Sequence, residues 1–213
     1  MTEAFVDDRP WLTLVAGPEG SGKNTLTRAI AASGFELGHY VNSDDIADEV
    51  LYRLDGEKQS QAMLDRAIAN ETAARRQYAL DSGEAFTVET GLKTPGELNF
   101  IKLANAHDYR TRLIFVATEN AALNTARVKR RQGGRDVPAK TIAADYTNAL
   151  AQLAPACLLV DEAYLFDNSG AGLRLVASLV RGKDAKPGFR FAPPLPGWVM
   201  TFAQTVTALL STK

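Results

Sequence analysis

Near the start of the chain, Gly17-Pro18-Glu19-Gly20-Ser21-Gly22-Lys23-Asn24-Thr25 has the spacing G-x-x-x-x-G-K, an arrangement that holds phosphates. Glycines at 17, 20 and 22 let the backbone curl until successive N–H groups point at phosphate oxygens. A helix beginning at Lys23 adds the positive end of its dipole. Lys23 is placed to reach the β- and γ-phosphates, while Gly17, Gly20, Ser21, Gly22 and Thr25 complete the cradle. Position 24 departs from the usual pattern: a Ser or Thr hydroxyl there ligates Mg²⁺, and this chain has Asn24. An amide oxygen is a hard enough ligand, but it sits on a longer arm than octahedral Mg²⁺ prefers.

Acids and arginines downstream suit transfer of the bound phosphoryl group. Asp44 and Asp45 follow a short apolar stretch, and an aspartate there can accept the proton of an attacking hydroxyl. The same acids also suit a helix N-terminus on electrostatic grounds. Glu89 and Thr90 end another short run and are read as substrate contacts. Arg127, Lys129, Arg130 and Arg131 precede Gly133-Gly134-Arg135; mobile arginines in such a stretch suit the stabilisation of charge on a transferring phosphate, and the glycine pair suits a hinge. Lys129 and Arg131 read more simply as a solvated helix face. A rival acid pair, Asp161-Glu162, ends the apolar run Leu158–Val160 in the manner of a hydrolase strand. There Asp161 would hold Mg²⁺ through water and Glu162 would activate water.

These residues need a scaffold, and the apolar pattern supplies one. Trp11–Ala16, His39–Val41, Ala85–Glu89, Arg112–Ala117 and the apolar run Ala156–Val160 read as strands, with Ala163–Phe166 following. Helices are expected over Lys23–Ser33, Asp44–Leu54 behind an Asn42-Ser43 cap, Glu57–Leu80, Pro95–Ala106, Asn120–Arg131, Pro138–Leu153 and Trp198–Leu210. Leu173–Val180 fits either strand or helix. Alternating strands and helices predict a three-layer α/β/α fold with a mostly parallel sheet of about five strands. Residues 1–213 are expected to form one domain. Arg181–Gly197, with Pro187, Pro193, Pro194 and Pro196, would form a wrap before the last helix.

Net charge is −1 over 213 residues, so bulk electrostatics give no case for nucleic-acid or anionic-membrane partners. No apolar stretch nears the ~20 residues of a transmembrane helix. Met1–Pro10 carries Glu3, Asp7 and Asp8, which does not suit a secretory signal; cytoplasmic placement is the expectation. The lone Cys157 reads as a buried core thiol, and His39 and His107 stand apart from any ligand cluster.

Taken in order, LTLVAGPEGSGKNTLTRAI, VNSDDIA, GEAFTVETGL, RLIFVATENAALNTARVKRRQGGRDVP and AYLFDNSG resemble the zeta toxin family of P-loop kinases, in its broader bacterial branch. Residues 12 to about 170 carry the resemblance. It implies transfer of the γ-phosphate of ATP or GTP, with Mg²⁺, to a hydroxyl of a UDP-amino sugar, and a possible antitoxin partner. Lys23 then matches the P-loop lysine, Asp44 the catalytic base, Glu89 the substrate-side glutamate, and Arg127 and Arg135 the phosphate-contacting arginines. Asn24 departs from the family, and Ile142–Ala149 lacks arginines that this branch often carries. Two other readings stay open: a nucleotide-binding module with weak or no catalysis, and an NTP hydrolase built on Asp161 and Glu162.

Overall fold

A computed structural model describes residues 7–54, 60–131, 137–181 and 188–211. The elements in chain order are β1 (Trp11–Ala16), α1 (Lys23–Ala32), β2 (His39–Asn42), α2 (Ser43–Arg53), α3 (Gln61–Ser82), β3 (Phe86–Thr90) and α4 (Pro95–Ala106). They continue with β4 (Arg110–Ala117), α5 (Ala121–Arg130), α6 (Ala139–Cys157), β5 (Glu162–Asp167), β6 (Arg174–Val180), β7 (Phe189–Phe191) and α7 (Gly197–Ser211).

All described strands join one sheet in the order β2-β3-β1-β4-β5-β6-β7. The first five in that order are parallel, and β6 and β7 add antiparallel strands at one side. The sheet therefore has seven strands rather than about five. The central strands are covered on both faces, which is why β1 and β3 read as buried runs rather than alternating ones. On one face Leu12, Leu14 and Ala16 join a large core with α2, α3, α4, α6 and α7. On the other, Val15, Ile114 and Val116 pack on Leu26 of α1.

Local chemistry fixes the helix starts. Asn42 caps α2 by accepting from the Asp44 N–H at 2.9 Å. Thr94 and Glu97 form a reciprocal capping box ahead of Pro95 at the start of α4. Leu173–Val180 resolves as strand β6, and the closing helix is α7.

One element differs from expectation. Ala156–Val160 is not a strand: α6 runs on through Pro155 to Cys157, and the chain then turns before β5. A buried helix end and a buried strand both present short apolar runs, and the periodicity of so few residues cannot separate them. Cys157 is fully buried there, as expected, and burial pushes its thiol pKa up. Among the described residues no helix is long and apolar enough to cross a membrane.

Candidate active site

The parallel strands all point their C-terminal ends at one edge, and the order places β1 between β3 and β4. The chain therefore leaves β1 in one direction and returns to the other side of it, the switch point at which open α/β sheets bind ligands. Register sets the neighbours: Ala16 lies beside Thr90 and Phe115, Asn42 beside Glu89, and Ala117 beside Asp167.

The phosphate loop joins β1 to α1 across this edge. Gly17 (φ 149°) and Gly20 (φ 76°) hold backbone conformations that side chains rarely adopt. A Cβ on Gly17 would sit 2.1 Å from the Val116 carbonyl oxygen, and one on Gly20 2.6 Å from that of Asn124. Two asparagines pin the loop. Asn124, fully buried on α5, donates from Nδ2 to the Glu19 carbonyl at 2.7 Å and accepts the Thr118 hydroxyl through Oδ1. Asn168, just past β5, donates to the Ser21 carbonyl at 2.9 Å, while its own carbonyl accepts from Arg127 Nη2 at 2.7 Å.

Among the described residues, two buried polar atoms in this frame have no hydrogen-bond partner: Ser21 Oγ in the loop and Arg127 Nη1 beside it. Buried polar groups are normally satisfied, and Arg127, which lines the adjoining cavity, has a guanidinium N–H that an anion there would bind. A cavity of about 580 Å³ lies here, lined by Lys23, Asn24, Thr25 and Arg28 on the loop side and by Arg127 and Asn168 opposite.

Toward β2 and β3 this cavity meets a smaller one of about 100 Å³, and Lys23, Asp44 and Glu89 line both. Asp44 sits in the first turn of α2. Glu89 is only 4% exposed, and Tyr40 donates its hydroxyl to Glu89 Oε2. Burial raises the Glu89 pKa. Lys23 and the Tyr40 bond pull it back, and Asp44 and Asp45 push it up further. Burial and Glu89 together raise the Tyr40 pKa as well. Beyond the small cavity a third, of about 590 Å³, opens against α3 and the start of α4. Thr90, Gly91 and Lys93 line both, so the three form a continuous trough along the strand ends.

The sequence-predicted residues divide as follows. Gly20, Gly22, Lys23, Asn24, Thr25, Asp44, Glu89 and Arg127 come together in the trough, and Thr90 lines its acceptor half. Asp45 is exposed and lines none of these three cavities; its charge is felt by Glu89 and Tyr40. Arg135 and Gly133-Gly134 fall outside the described residues. Arg131, expected to be merely solvated, lines the large cavity and pairs with Glu19 at 3.3 Å.

The Asp161-Glu162 expectation is corrected. Both stand at the N-terminal start of β5, the opposite edge from the phosphate loop, because the apolar run before them is helix and turn. Asp161 accepts the Thr111 N–H at 2.8 Å, and Glu162 pairs with Arg112 at 2.8 Å.

Sequence reasoning did not assign roles to Asn124, Asn168 or Tyr40. Asn124 carried one readable signal, a polar residue on the inward side of an amphipathic helix. The other two are ordinary polar residues whose role depends on which strand lies beside them.

A parallel sheet whose first strand runs into a phosphate loop, with acids and an arginine converging on it from neighbouring strand ends, defines the class: the fold is that of a P-loop kinase. The chain belongs to the Zeta toxin family, whose sequence profile matches residues 2–171. No curated protein sequence matches it. Among solved structures it is similar to a chain of the AvrRxo1-ORF1:-ORF2 complex with ATP. The TM-score is 0.64 at 16% identity, covering 93% of this chain and 64% of that one. A chain of the same complex with sulphate ions gives 0.62 at 17%, with the same coverage. A third match comes from the PezAT toxin–antitoxin system of Streptococcus pneumoniae, at 0.54 and 13%, covering 76% of this chain and 68% of that one. The present chain thus spans about 64% of the length of the AvrRxo1 complex chains it matches.

Proposed function

We propose that the chain transfers the γ-phosphate of ATP or GTP to a hydroxyl of a small molecule. The observation that carries this is the shared lining of the small cavity: Lys23, Asp44 and Glu89 all border it, between a phosphate-loop cavity and a separate cavity fit for an acceptor. In this reading the triphosphate lies on the loop, with Arg127 Nη1 completing its hydrogen bonds. Asp44 takes the proton of the attacking hydroxyl. Lys23 and Arg127 stabilise the charge that spreads over the transferring group, with Arg135 assigned the same task by resemblance. Glu89, Thr90 and Asp45 are taken to act on the acceptor side, Glu89 held in place by Tyr40. A UDP-amino sugar is the acceptor that family membership suggests, and an antitoxin the corresponding protein partner, in one domain of cytoplasmic habit.

Mg²⁺ fits this residue set in a limited way. The ion usually keeps several waters and takes one or two protein ligands plus phosphate oxygens. Asn24 and Asp44 both line the nucleotide cavity, and no group of three His, Cys, Asp or Glu suited to a metal occurs among the described residues. Bound there, the ion would neutralise phosphate charge. Asn24 also favours the second reading, a nucleotide-binding module with weak catalysis.

The test is phosphoryl transfer from labelled ATP or GTP to UDP-N-acetylglucosamine and other hydroxyl acceptors. Asp44→Asn should lower kcat by about 10²–10⁴ with nucleotide affinity little changed, and Glu162→Gln should leave the rate alone. Unchanged transfer in Asp44→Asn would remove the assigned base. Tight nucleotide binding without turnover on any acceptor would favour the module.

A further inference from the structure

We infer that Arg76 on α3 is a specificity-determining residue of the acceptor half of the trough, where it binds an anionic group of the acceptor, a phosphate or a carboxylate. This rests on the kinase reading above and concerns the far end of the same trough.

Helix α3 bears two consecutive arginines whose surroundings differ. Arg75 is matched by carboxylates: it meets Glu71 at 3.0 Å and also pairs with Glu49, and Arg53 reaches Glu71 from α2. Arg76, about 100° further round the helix, lines the 590 Å³ cavity. It is half-buried, and no carboxylate lies within 4.0 Å of it among the described residues. Its Nε is sealed from solvent and has no hydrogen-bond partner among the described residues. The guanidinium carbon stands 5.4 Å from the centre of the Phe100 ring, so the group packs toward that ring while the residue also lines the cavity.

The acid whose field Arg76 feels is Glu97, but that carboxylate is already occupied. Its Oε2 takes the Thr94 N–H at 3.1 Å and the Thr94 hydroxyl, and its Oε1 takes the Thr90 hydroxyl at 3.1 Å. Burial lowers the Arg76 pKa from its ordinary value, a sign of a charge that its surroundings do not compensate. The other basic group at this end, Lys93, is neutralised by Asp145 at 2.9 Å. Asp65, also in the lining, accepts from Gln61 at 2.8 Å.

A half-buried, unpaired guanidinium is a stability cost, and its planar fork matches a carboxylate or phosphate in two-point contact. Ile68, Ala69 and Ala73 give the cavity an apolar wall beside it. The site thus suits a small hydroxylated molecule with its anion on Arg76 and its hydroxyl directed through the small cavity toward Asp44.

The experiment is calorimetric titration of protein saturated with AMP-PNP, using glucose as the neutral arm, glucose 1-phosphate and UDP-N-acetylglucosamine as the phosphate arm, and gluconate as the carboxylate arm. Wild type, Arg76→Met and Arg76→Lys are compared. At least one anionic compound should bind ten times or more tightly than glucose. Arg76→Met should weaken that binding tenfold or more and Arg76→Lys less, with AMP-PNP affinity unchanged. Without ligands, Arg76→Met should melt no lower than wild type, because it removes an unpaired charge; a structural arginine would give the opposite shift. Glucose binding as well as the anions, Arg76→Met retaining anion binding, or no anion binding while AMP-PNP does, would each overturn the inference and leave the kinase reading standing. Failure of AMP-PNP to bind wild type would overturn both.

Discussion

Replacing Asn124 by alanine tests whether the phosphate loop is held from α5. The amide is fully buried and makes two bonds, one to the Glu19 carbonyl at 2.7 Å and one from the Thr118 hydroxyl. Their loss costs about 1 kcal/mol each, and leaving the partly buried Glu19 carbonyl without a donor adds a fraction more. The Thr118 hydroxyl keeps an alternative acceptor, the Asn120 carbonyl at 3.1 Å, so it leaves no second orphan. The total is about 2–3 kcal/mol, which for a chain of this length lowers Tm by roughly 4–12 °C. Glu19 belongs to the loop itself, so loosening it should also weaken ATP binding, by about tenfold, equivalent to about 1.4 kcal/mol. Thermal melts with and without ATP, and a direct ATP titration, read both effects. Thr125→Ala is the control: on the same helix, its hydroxyl bonds only the Ala121 carbonyl among the described residues, and neither quantity should move. An Asn124→Ala protein that melts within about 2 °C of wild type and binds ATP equally well would show that α5 does not set the loop.

Two further outcomes follow from the site. Asn24→Thr restores a short hydroxyl arm at the usual metal-ligand position, and should raise kcat about tenfold while lowering the Mg²⁺ concentration needed for half-maximal rate; an unchanged Mg²⁺ titration would mean that Asn24 does not limit metal binding. Because Glu89 has a raised pKa in the folded state, the folded protein holds its proton more tightly than the unfolded chain does. Stability from this group is therefore full below the ordinary value of 4.5 and is lost as pH rises through the raised folded value. Glu89→Gln still accepts from Tyr40 but cannot ionise, so its urea midpoint should lack that fall; parallel midpoints from pH 4 to 8 would rule the reading out.

The part of this site legible in the sequence is the part written locally. A phosphate loop must be contiguous, since one turn of backbone has to follow the shape of one phosphate chain, so Gly17–Thr25 announces itself. Asp44 and Glu89 were readable because each follows a short apolar run, and parallel strands bring such ends to one edge. Asn124 and Asn168 escaped because their partners, Glu19 and Ser21, lie over a hundred residues away. Nothing in ENAALNTAR or FDNSG says that the β1–α1 turn will pass beside it. The Asp161-Glu162 reading failed for a related reason. Its chemistry depended on which end of a strand the acids occupy, and the apolar run before them is the end of a helix.

The region beyond the family match bears on the same site. Trp198, at the start of α7, donates its indole N–H to Asp167 at 3.1 Å and packs near Phe115, with ring centres 6.0 Å apart. Gly197 N–H donates to Glu119 at 3.0 Å, and Glu119 N–H donates to Ser169 Oγ at 2.7 Å, whose hydroxyl in turn bonds Asp167. These contacts bracket Asn168, the residue that holds both Ser21 and Arg127. A loop carrying three left-handed glycines has little rigidity of its own, and an arginine positioned through a carbonyl is only as fixed as that carbonyl. The segment containing Pro193, Pro194 and Pro196 thus delivers α7 to the C-terminal end of β5, where its first residues bond Glu119 and Asp167 on either side of the strand end that carries Asn168.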